Sequence, residues 1–383
     1  MAETRLGIIM HGVTGRMGTN QHLIRSILAI REQGGVPLAN GDRVVVDPIL
    51  VGRNAARIEA LANEHGVDRW SADIDEVLAN RQDTVFFDAA ITRLRPGLLK
   101  KAMNAGKHVY CEKPTAETLE VALDLARDAR SRGIKNGVVH DKLYLPGLVK
   151  LRTLRDNGFF GRILSVRSEF GYWVFEGDRR KAQRPSWNYR KDDGGGMVLD
   201  MLPHWRYVLD HTIAPIKAVN CLAVTHIDRR WDELDNEYTA DADDAAYATF
   251  ELDGGIVAQT NSSWCTRVNR EDLVTFHVDG THGSAVAGLH GCKVQSYDDT
   301  PCPVWNPDSP QTMNFRDDWV EVEDDTQFDN GFKAQWEEFI RHVVEDGPWQ
   351  YDLLSGARGV QLAELGYRSS AERRWLDVPE LEA

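Results

Sequence analysis

Across its first 145 residues the chain alternates short, almost continuously apolar runs with segments of helical periodicity. Apolar runs of that kind are typical of strands that are buried on both faces of a sheet. Between the last two runs, apolar side chains recur at i, i+3, i+4 and i+7 from Leu119 to Ala126. Strands separated by helices pair in parallel through right-handed crossovers. The pattern therefore predicts a doubly wound α/β domain over residues 1–145, with strands at 6–10, 44–51, 84–90, 108–111 and 137–140.

From about Pro146 the periodicity changes. A predicted helix over 147–157 is followed by stretches of period 2, which Gly-rich turn signals such as DGG and DGTHG interrupt. These features predict a second domain over residues 146–383 that contains a largely antiparallel sheet. Its predicted strand regions lie at 163–177, 245–264 and 273–289, and its closing helices at 331–345 and 354–373.

Charge and composition exclude several classes of function. Acidic residues outnumber Lys and Arg by 59 to 45, and the resulting charge of −14 opposes binding to nucleic acid or to an anionic membrane surface. No segment approaches the roughly 20 apolar residues that cross a bilayer, and the N-terminus does not resemble a signal peptide. We therefore expect a cytoplasmic protein. Five scattered cysteines without a CxxC pair indicate reduced thiols, and the spacing of His290, Cys292 and Cys302 matches no zinc pattern, so we expect no metal.

A glycine-rich segment, HGVTGRMG, follows the first predicted strand. Glycines between a strand and a helix permit a tight turn and a close backbone approach, and the helix N-terminus attracts a pyrophosphate. The spacing is GxxGxxG instead of the usual GxGxxG, and a simple tight turn is the alternative. The segment predicts a dinucleotide site whose candidate contacts are Gly12, Thr14, Gly15, Arg16 and Met17.

The end of the second strand bears on the choice of dinucleotide. A carboxylate at this position binds the ribose hydroxyls of NAD, whereas an arginine accommodates the 2′-phosphate of NADP. Here Gly52 is followed by Arg53 and Asn54, and Arg16 lies in the glycine loop. This pattern favours NADP(H) over NAD(H), the alternative being a solvated Arg53 that merely stacks on adenine.

A second glycine-rich segment, GGGMVLDMLPHW at 194–205, carries Asp200 and His204 four residues apart. Residues at that spacing share one face of a helix. Pro203 leaves two alternatives, because a proline inside a helix removes a hydrogen bond and kinks the turn. Either one bent helix contains both side chains, or a new helix begins at Pro203 and the same-face argument fails.

Two motifs resemble the signatures of the Gfo/Idh/MocA oxidoreductases. GKHVYCEKPTA (106–116) is similar to GKHVxxEKPxA, and the segment 194–205 is similar to GGGxLxDxGxH. Further similar segments follow in the family's order along nearly the whole chain. The resemblance implies an N-terminal Rossmann domain and a C-terminal α/β domain with a large open, mostly antiparallel sheet, through which the chain forms a homo-oligomer, a dimer or tetramer. It also implies an enzyme that oxidises or reduces a hydroxyl or carbonyl of a sugar or cyclitol with NAD(H) or NADP(H).

The resemblance assigns roles to matching positions. It implies that Lys113 faces the substrate, that Glu112 contacts the cofactor ribose, that Asp200 is an acid on the substrate side and that His204 transfers the proton. The residue types suit the chemistry, because an imidazole with an ordinary pKa of about 6.5 can act as a base near neutral pH. A lysine ammonium can stabilise a developing alkoxide.

Departures from the family pattern affect other positions. Ala89 and Ala90 replace the first residues of a TPN segment, so their cofactor contacts are restricted to backbone and apolar ones. Lys142 lies where many relatives carry Asn or Arg, and we expect it to bind substrate. The loop RPSWNYRKDD (184–193) resembles a loop that relatives place near nicotinamide and substrate, which favours Trp187 and Tyr189 as substrate contacts; a solvated loop is the alternative.

Two other functions use the same fold. The first is a glycosidase-like or lyase-type enzyme that retains its cofactor and oxidises the sugar transiently. The second is a non-catalytic sensor that binds a dinucleotide, although the intact EKP and DxxxH motifs count against it.

Overall fold

The computed structural model describes residues 2–172, 175, 177–267, 272–302, 306–310, 312–314 and 317–383. These residues form two compact units. The first comprises 1–144, 329–364 and 380–383, and the second comprises 145–328 and 365–379. The sequence-based division at 145/146 lies at the first boundary, but the second predicted domain, 146–383, differs from the second unit because two C-terminal segments return to the first.

The first unit is built on a seven-stranded sheet. Strands β3, β1, β5, β6 and β7 are parallel neighbours in that order, and β4 also pairs with β3 in parallel, which is the strand order of a Rossmann fold. Only the short β2 is antiparallel to its neighbour. The elements are β1 (Glu3–His11), α1 (Gly18–Leu28 with π-type hydrogen bonds, continued by Ala29–Glu32), β2 (Val36–Pro37), β3 (Arg43–Val51), α2 (Ala55–Glu64), β4 (Trp70–Ser71), α3 (Ile74–Ala79), β5 (Asp83–Asp88), α4 (Arg95–Asn104), β6 (His108–Cys111), α5 (Leu119–Ser131) and β7 (Asn136–Val138).

The second unit is built on a nine-stranded sheet in the order β17-β16-β15-β14-β8-β13-β12-β9-β18. Among the described strands of this sheet, only the β8–β13 pair is parallel. The predicted fold class, a doubly wound domain followed by an α/β domain with a mostly antiparallel sheet, is confirmed. Its elements are α6 (Pro146–Asp156), β8 (Ile163–Phe170), α7 (Met197–Thr212), β9 (Ile216–Val224), β10 (Arg229–Trp231), β11 (Glu237–Thr239), β12 (Ala245–Leu252), β13 (Ile256–Ser263), β14 (Val274–Gly280), β15 (Gly283–Ala287), β16 (Cys292–Ser296) and β17 (Val320–Glu321).

Two helices and a short strand close the chain: α8 (Gly331–Glu345), α9 (Leu353–Glu372) and β18 (Leu376–Asp377). Helix α8 belongs to the first unit, because its apolar face packs into the core of that unit. Trp336, Phe339 and Ile340 are fully buried in the same core as the strand residues Phe87 and Tyr110. The Tyr110 and Phe339 rings stack with their centroids 4.8 Å apart. Periodicity predicted this helix correctly, but it carries no information about which sheet the helix covers.

The predicted strand region 163–177 forms a strand only as far as Phe170. Trp173, Val174 and Glu176, which belong to the second half of that prediction, lie outside the described residues. Within the described ranges, no helix is both long and apolar enough to cross a lipid bilayer.

Helix α7 begins against a buried carboxylate. Val198 N–H donates to Asp243 Oδ2 at 2.7 Å, and the hydroxyl of Tyr367 donates to Asp243 Oδ1 at 2.7 Å. Gly196 precedes the helix with φ of 127°, and a Cβ there would lie 2.5 Å from the Tyr367 hydroxyl, so only glycine fits. Burial raises the pKa of Asp243, and its hydrogen-bond donors offset this only in part. The carboxylate therefore fixes where α7 starts.

Replacing this carboxylate by its amide should destabilise the protein. In Asp243→Asn one oxygen can still accept a hydrogen bond, but the amide N–H2 faces a donor. We therefore expect the free energy of unfolding to fall by about 2 kcal/mol. Tyr367→Phe removes one bond and should cost about 1 kcal/mol. Unfolding temperatures should show that Asp243→Asn destabilises the protein more than Tyr367→Phe. Asp241→Asn is the control, because Asp241 accepts a backbone N–H at 2.9 Å in an exposed position. Equal unfolding temperatures for the two Asp→Asn variants would contradict this role.

Candidate functional site

The glycine loop of the first unit lies at the carboxyl end of β1, where the strand order reverses. Gly12 has φ of 77°, and a Cβ on it would lie 2.4 Å from the backbone nitrogen of Ala90. A Cβ on Gly18 would lie 2.4 Å from the carbonyl oxygen of Gly12. Helix α1 begins at Gly18, so its first N–H groups point towards the loop. Ligands bind at this kind of crevice in open α/β sheets, and the cradle fits a pyrophosphate.

The loop after β5 packs directly against the glycine loop. Ala89 N–H donates to the carbonyl of His11 at 3.0 Å, and the backbone of Ala90 meets Gly12 as just described. Both alanines are half-buried. The predicted cofactor positions after β1 and after β5 are therefore brought together in the first unit.

Asp88 and Arg95 hold this edge in place, and the sequence interpretation missed both. Arg95 is 2% exposed, and its Nε donates to Asp88 Oδ2 at 3.0 Å. Its other guanidinium nitrogens donate to the carbonyls of Ala90, at 2.5 Å, and of Pro114. An acid at the end of an apolar strand was the available signal for Asp88, whereas nothing in the sequence distinguishes Arg95 from a surface arginine.

Three arginines surround the end of β3 and the glycine loop. Arg53 and Arg16 are exposed, and neither guanidinium group makes a hydrogen bond or ion pair to another residue in the described part of the chain. Arg57, which the sequence interpretation did not select, donates to the carbonyl of Thr14 at 2.8 Å. Asn54 caps α2 by accepting from Arg57 N–H at 3.0 Å, so its side chain has a structural role. These arginines give the end of β3 and the glycine loop a local positive charge.

A side chain at position 52 would meet the side chain of Ile58. A Cβ on Gly52 would lie 2.8 Å from two side-chain carbons of Ile58. The carboxylate that binds ribose hydroxyls in many dinucleotide domains therefore has no room here unless Ile58 moves.

Glu112 follows β6 and is 9% exposed. Its Oε1 lies 2.9 Å from Nε2 of His22, and its Oε2 accepts the backbone N–H of Lys113 at 3.1 Å. Burial by itself would raise the pKa of Glu112, but the hydrogen bond with His22 and the positive charges of Lys113 and Arg95 lower it below its ordinary value. Glu112 is therefore a buried, ionised carboxylate at the cofactor edge of the sheet.

Lys113 is half-buried at the same strand end and precedes Pro114 through a cis peptide bond. Lys142 lies in a short 3₁₀ helix, Asp141–Tyr144, after β7, and its ammonium is 3.7 Å from Asp141 Oδ2. Both lysines follow strands of the first sheet at its carboxyl edge, which is where the sequence placed them.

In the second unit, one continuous helix carries the other predicted catalytic groups. Helix α7 includes Pro203 in its interior, so Asp200 and His204 share a helix face, and the first of the two alternatives is correct. His204 is 5% exposed, and its Nδ1 lies 2.6 Å from the Tyr207 hydroxyl. Asp200 Oδ2 lies 2.9 Å from a guanidinium nitrogen of Arg184. Tyr207 and Arg184 are contacts that the sequence interpretation did not include.

The predicted substrate loop places its two aromatic residues differently. Trp187 is 49% exposed in the 3₁₀ helix Ser186–Tyr189. Tyr189 is 1% exposed, its hydroxyl donates to the carbonyl of Phe175 at 2.5 Å, and the guanidinium of Arg230 lies 3.9 Å from its ring centroid. Burial raises the pKa of Tyr189. Tyr189 is thus part of the core beneath the loop, and its position does not support the substrate contact expected for it.

A metal site is not apparent in the described ranges. There, no group of three or more His, Cys, Asp or Glu side chains could hold a metal ion. The loosely spaced His290, Cys292 and Cys302 form no such group either.

Two family models match the chain. Residues 8–140 match a model described as an oxidoreductase family with an NAD-binding Rossmann fold, and residues 148–286 match one described as the GFO/IDH/MocA C-terminal domain. The resemblance recognised from the EKP and DxxxH motifs is thereby confirmed.

Whole-chain comparisons agree with these matches. The chain is 60% identical to D-xylose dehydrogenase of Paenarthrobacter nicotinovorans, over 98% of this chain and 97% of that protein. It is 27% identical to 1,5-anhydro-D-fructose reductase of Ensifer adhaerens, over 66% of this chain and 70% of that protein. Among solved structures, levoglucosan dehydrogenase in complex with NADH has the same fold, with a TM-score of 0.81 at 20% identity over 99% of this chain and 100% of that one.

The glycine loop can be tested with a matched pair of variants. Gly12→Ala forces a residue with a side chain into positive φ and pushes a Cβ into the backbone of Ala90, so we expect dinucleotide affinity to fall at least about tenfold. Gly66 also has positive φ, 62°, but open space around it. Gly66→Ala should therefore lower stability by about 1 kcal/mol and leave affinity unchanged. Calorimetric titration with dinucleotide measures this, and unaltered binding by Gly12→Ala would contradict the assignment.

Proposed function

The chain belongs to the Gfo/Idh/MocA family of oxidoreductases, and we propose that it is an NAD(P)-dependent dehydrogenase of a sugar. The observation that carries this proposal is the 60% identity to a D-xylose dehydrogenase over nearly the full length of both chains. An aldopentose such as D-xylose is therefore the first substrate to examine, and other sugars and cyclitols follow.

In the proposed enzyme the first unit holds the cofactor. The backbone of Gly12, Thr14, Gly15, Arg16 and Met17 surrounds the pyrophosphate at the start of α1. The half-buried backbone at Ala89 and Ala90 and the carboxylate of Glu112 offer the remaining contacts. A nicotinamide dinucleotide, when bound, supplies the hydride acceptor that sugar oxidation requires.

Lys113 is the group that we assign to the reacting oxygen. Its backbone is held by the bond from its N–H to Glu112 Oε2. An ammonium at a strand end of the binding edge can donate to a sugar hydroxyl and stabilise the negative charge that develops on its oxygen as the hydroxyl proton leaves. We propose that Lys142, at the next strand end, contributes a further hydrogen bond to the substrate.

His204 is the group that we assign to the hydroxyl proton. Because Nδ1 is hydrogen-bonded to Tyr207, we assign the transfer to Nε2, the other ring nitrogen. Asp200 lies one turn earlier on α7 and is oriented by Arg184, and we propose that its carboxylate accepts from a second sugar hydroxyl. The exposed indole of Trp187 suits packing against the C–H face of a sugar ring.

Two alternatives use the same residues. A glycosidase-like or lyase-type enzyme would oxidise its sugar only transiently and would release no reduced cofactor. A dinucleotide-binding sensor would keep its ligand response after Lys113→Ala. The high identity to a named dehydrogenase favours net sugar oxidation over both.

We also propose that the chain forms a homo-oligomer through the sheet of the second unit. Helices α6 and α7 pack on one face of this sheet. On the other face Leu222 and Tyr247 are cross-strand partners and are 44% and 37% exposed, and Val257 on the next strand is 45% exposed. Apolar side chains at outward positions of a broad sheet suit association with a second copy.

The central test is reduction of NAD or NADP by the purified protein in the presence of D-xylose, followed by other sugars and cyclitols. We expect stoichiometric accumulation of reduced cofactor. His204→Asn should lower kcat about 10²- to 10⁴-fold, and Lys113→Met by a comparable factor. His226→Asn is the control, because His226 makes a similar bond to a tyrosine hydroxyl, at 2.9 Å, on the sheet of the second unit. Absence of turnover with every polyol would overturn the dehydrogenase proposal.

The cofactor preference is a separate proposal: NADP(H) is favoured over NAD(H). It is supported by exposed Arg53 and Arg16 near the loop and by the glycine at position 52, which offers no carboxylate to the ribose. Arg53→Ala should raise the KM for NADP at least about tenfold, since a charged hydrogen bond to phosphate is lost, and should change the KM for NAD little. Steady-state kinetics with both cofactors measures this. Equal changes in the two KM values would contradict the preference.

A further inference from the structure

A buried chain of hydrogen bonds connects helix α8 to the EKP motif within the first unit. Trp336 Nε1 donates to His22 Nδ1 at 3.0 Å, and His22 Nε2 lies 2.9 Å from Glu112 Oε1. Glu112 Oε2 then accepts the backbone N–H of Lys113 at 3.1 Å. His22 and Trp336 are both fully buried. The C-terminal part of the chain thus reaches the strand end from which Lys113 projects.

The indole of Trp336 determines which ring nitrogen of His22 accepts a hydrogen bond and which one donates. A tryptophan N–H can only donate, so Nδ1 of His22 must accept and cannot carry hydrogen. The imidazole hydrogen therefore resides on Nε2 and is donated to Glu112. A hydrogen on Nδ1 would face the indole N–H, so the contact with Trp336 selects one tautomer.

The surroundings of His22 strengthen this arrangement. Its ring packs against Phe87, with centroids 4.3 Å apart, and against Phe332, at 5.1 Å. The one charged group in contact with the ring among the described residues is Glu112, beside which stand the cations of Lys113 and Arg95. A hydrogen bond within apolar walls is electrostatically stronger than one in water. Glu112 is thereby restricted to one orientation.

We propose that His22 and Trp336 are positioning residues for the cofactor and for Lys113. They hold the Glu112 carboxylate ionised and in one orientation, and through its second oxygen they fix the backbone of Lys113. An ionised carboxylate has about four lone-pair sites, and the two that remain after these bonds can accept from a ribose hydroxyl. The role in catalysis rests on the proposed function, whereas the role in dinucleotide binding does not.

Three variants test the chain of bonds in the full-length protein. His22→Phe loses both bonds, and we expect dinucleotide affinity to fall about tenfold or more, because a charge-assisted hydrogen bond is lost. His22→Gln keeps one donor and one acceptor and should restore affinity to within about threefold of the original. Trp336→Phe keeps the aromatic packing but removes the donor, and its affinity should lie between these two. Calorimetric titration gives the affinities, and kcat with the sugar substrate should follow the same order.

Two control variants alter the same aromatic cluster but leave the hydrogen bonds between Trp336, His22 and Glu112 intact. Trp349→Phe removes an indole bond of similar length, 2.9 Å, to the carbonyl of Asn136. Tyr110→Phe removes a buried hydroxyl that has no hydrogen-bond partner among the described residues, although its ring lies 4.6 Å from that of Trp336. We expect both controls to bind dinucleotide as the original does. Thermal unfolding of all five variants separates loss of binding from loss of stability.

A spectroscopic measurement tests the tautomer without any ligand. Nitrogen-15 shifts of the His22 ring should show hydrogen on Nε2 and a bare Nδ1. In Trp336→Phe the shift of Nδ1 should change, because Nδ1 loses its hydrogen-bond donor, whereas Trp349→Phe should leave it unchanged. Hydrogen on Nδ1 in the original protein would overturn the inference. So would folded His22→Phe that binds dinucleotide normally, or a His22→Gln variant that binds as poorly as His22→Phe. If the original protein binds dinucleotide but oxidises no sugar, the proposed function fails alone, and the affinity order of the variants still decides this inference.

Discussion

One buried carboxylate holds the cofactor edge of the first unit together. Asp88 ends β5, and its Oδ1 lies 2.8 Å from Nδ1 of His11 and accepts the N–H of Ala90 at 3.2 Å. Its Oδ2 accepts from Arg95, which also binds the carbonyl of Pro114. The end of β1, the turn after β5 and the EKP turn are thus connected through one ion pair, Asp88–Arg95. Because removing one partner of a buried ion pair leaves the other charge unpaired, this edge tolerates little change.

In the second unit, two adjacent buried carboxylates, Asp243 and Asp244, hold neighbouring elements in place in the same way. Asp243 accepts a backbone N–H from the first turn of α7, whereas Asp244 forms an ion pair with fully buried Arg230 at 2.8 Å. Arg230 in turn lies over the ring of Tyr189 and donates to the carbonyl of Phe175. The helix that carries His204 and the loop that carries Trp187 are therefore fixed by neighbouring residues on one short segment. Fixed side chains suit the proton transfer and sugar binding that we propose for them.

Local patterns predicted the fold well, because strands buried on both faces and helices with an apolar stripe leave direct signatures in sequence. The motif match also predicted which residues lie at the strand ends, including Glu112 and Lys113. Partners far apart in sequence could not be predicted: Arg95 and His22 look like ordinary residues of amphipathic helices until the sheet brings carboxylates to them. Tyr189 shows the opposite failure, since an aromatic residue in a polar loop carries no signal that its ring is turned into the core.

Helix α8 has a consequence for how the chain acquires its structure. The sheet of the first unit presents Phe87 and Tyr110 to the face that Trp336 and Phe339 cover. As the chain leaves the ribosome, that face stays uncovered until residues 145–328 of the second unit have been synthesised and residues 331–345 emerge. The dinucleotide domain is therefore the first to begin, but its core is covered only after most of the second unit has been synthesised. A fragment that ends near residue 145 would contain every strand of the Rossmann sheet and still expose part of its hydrophobic core.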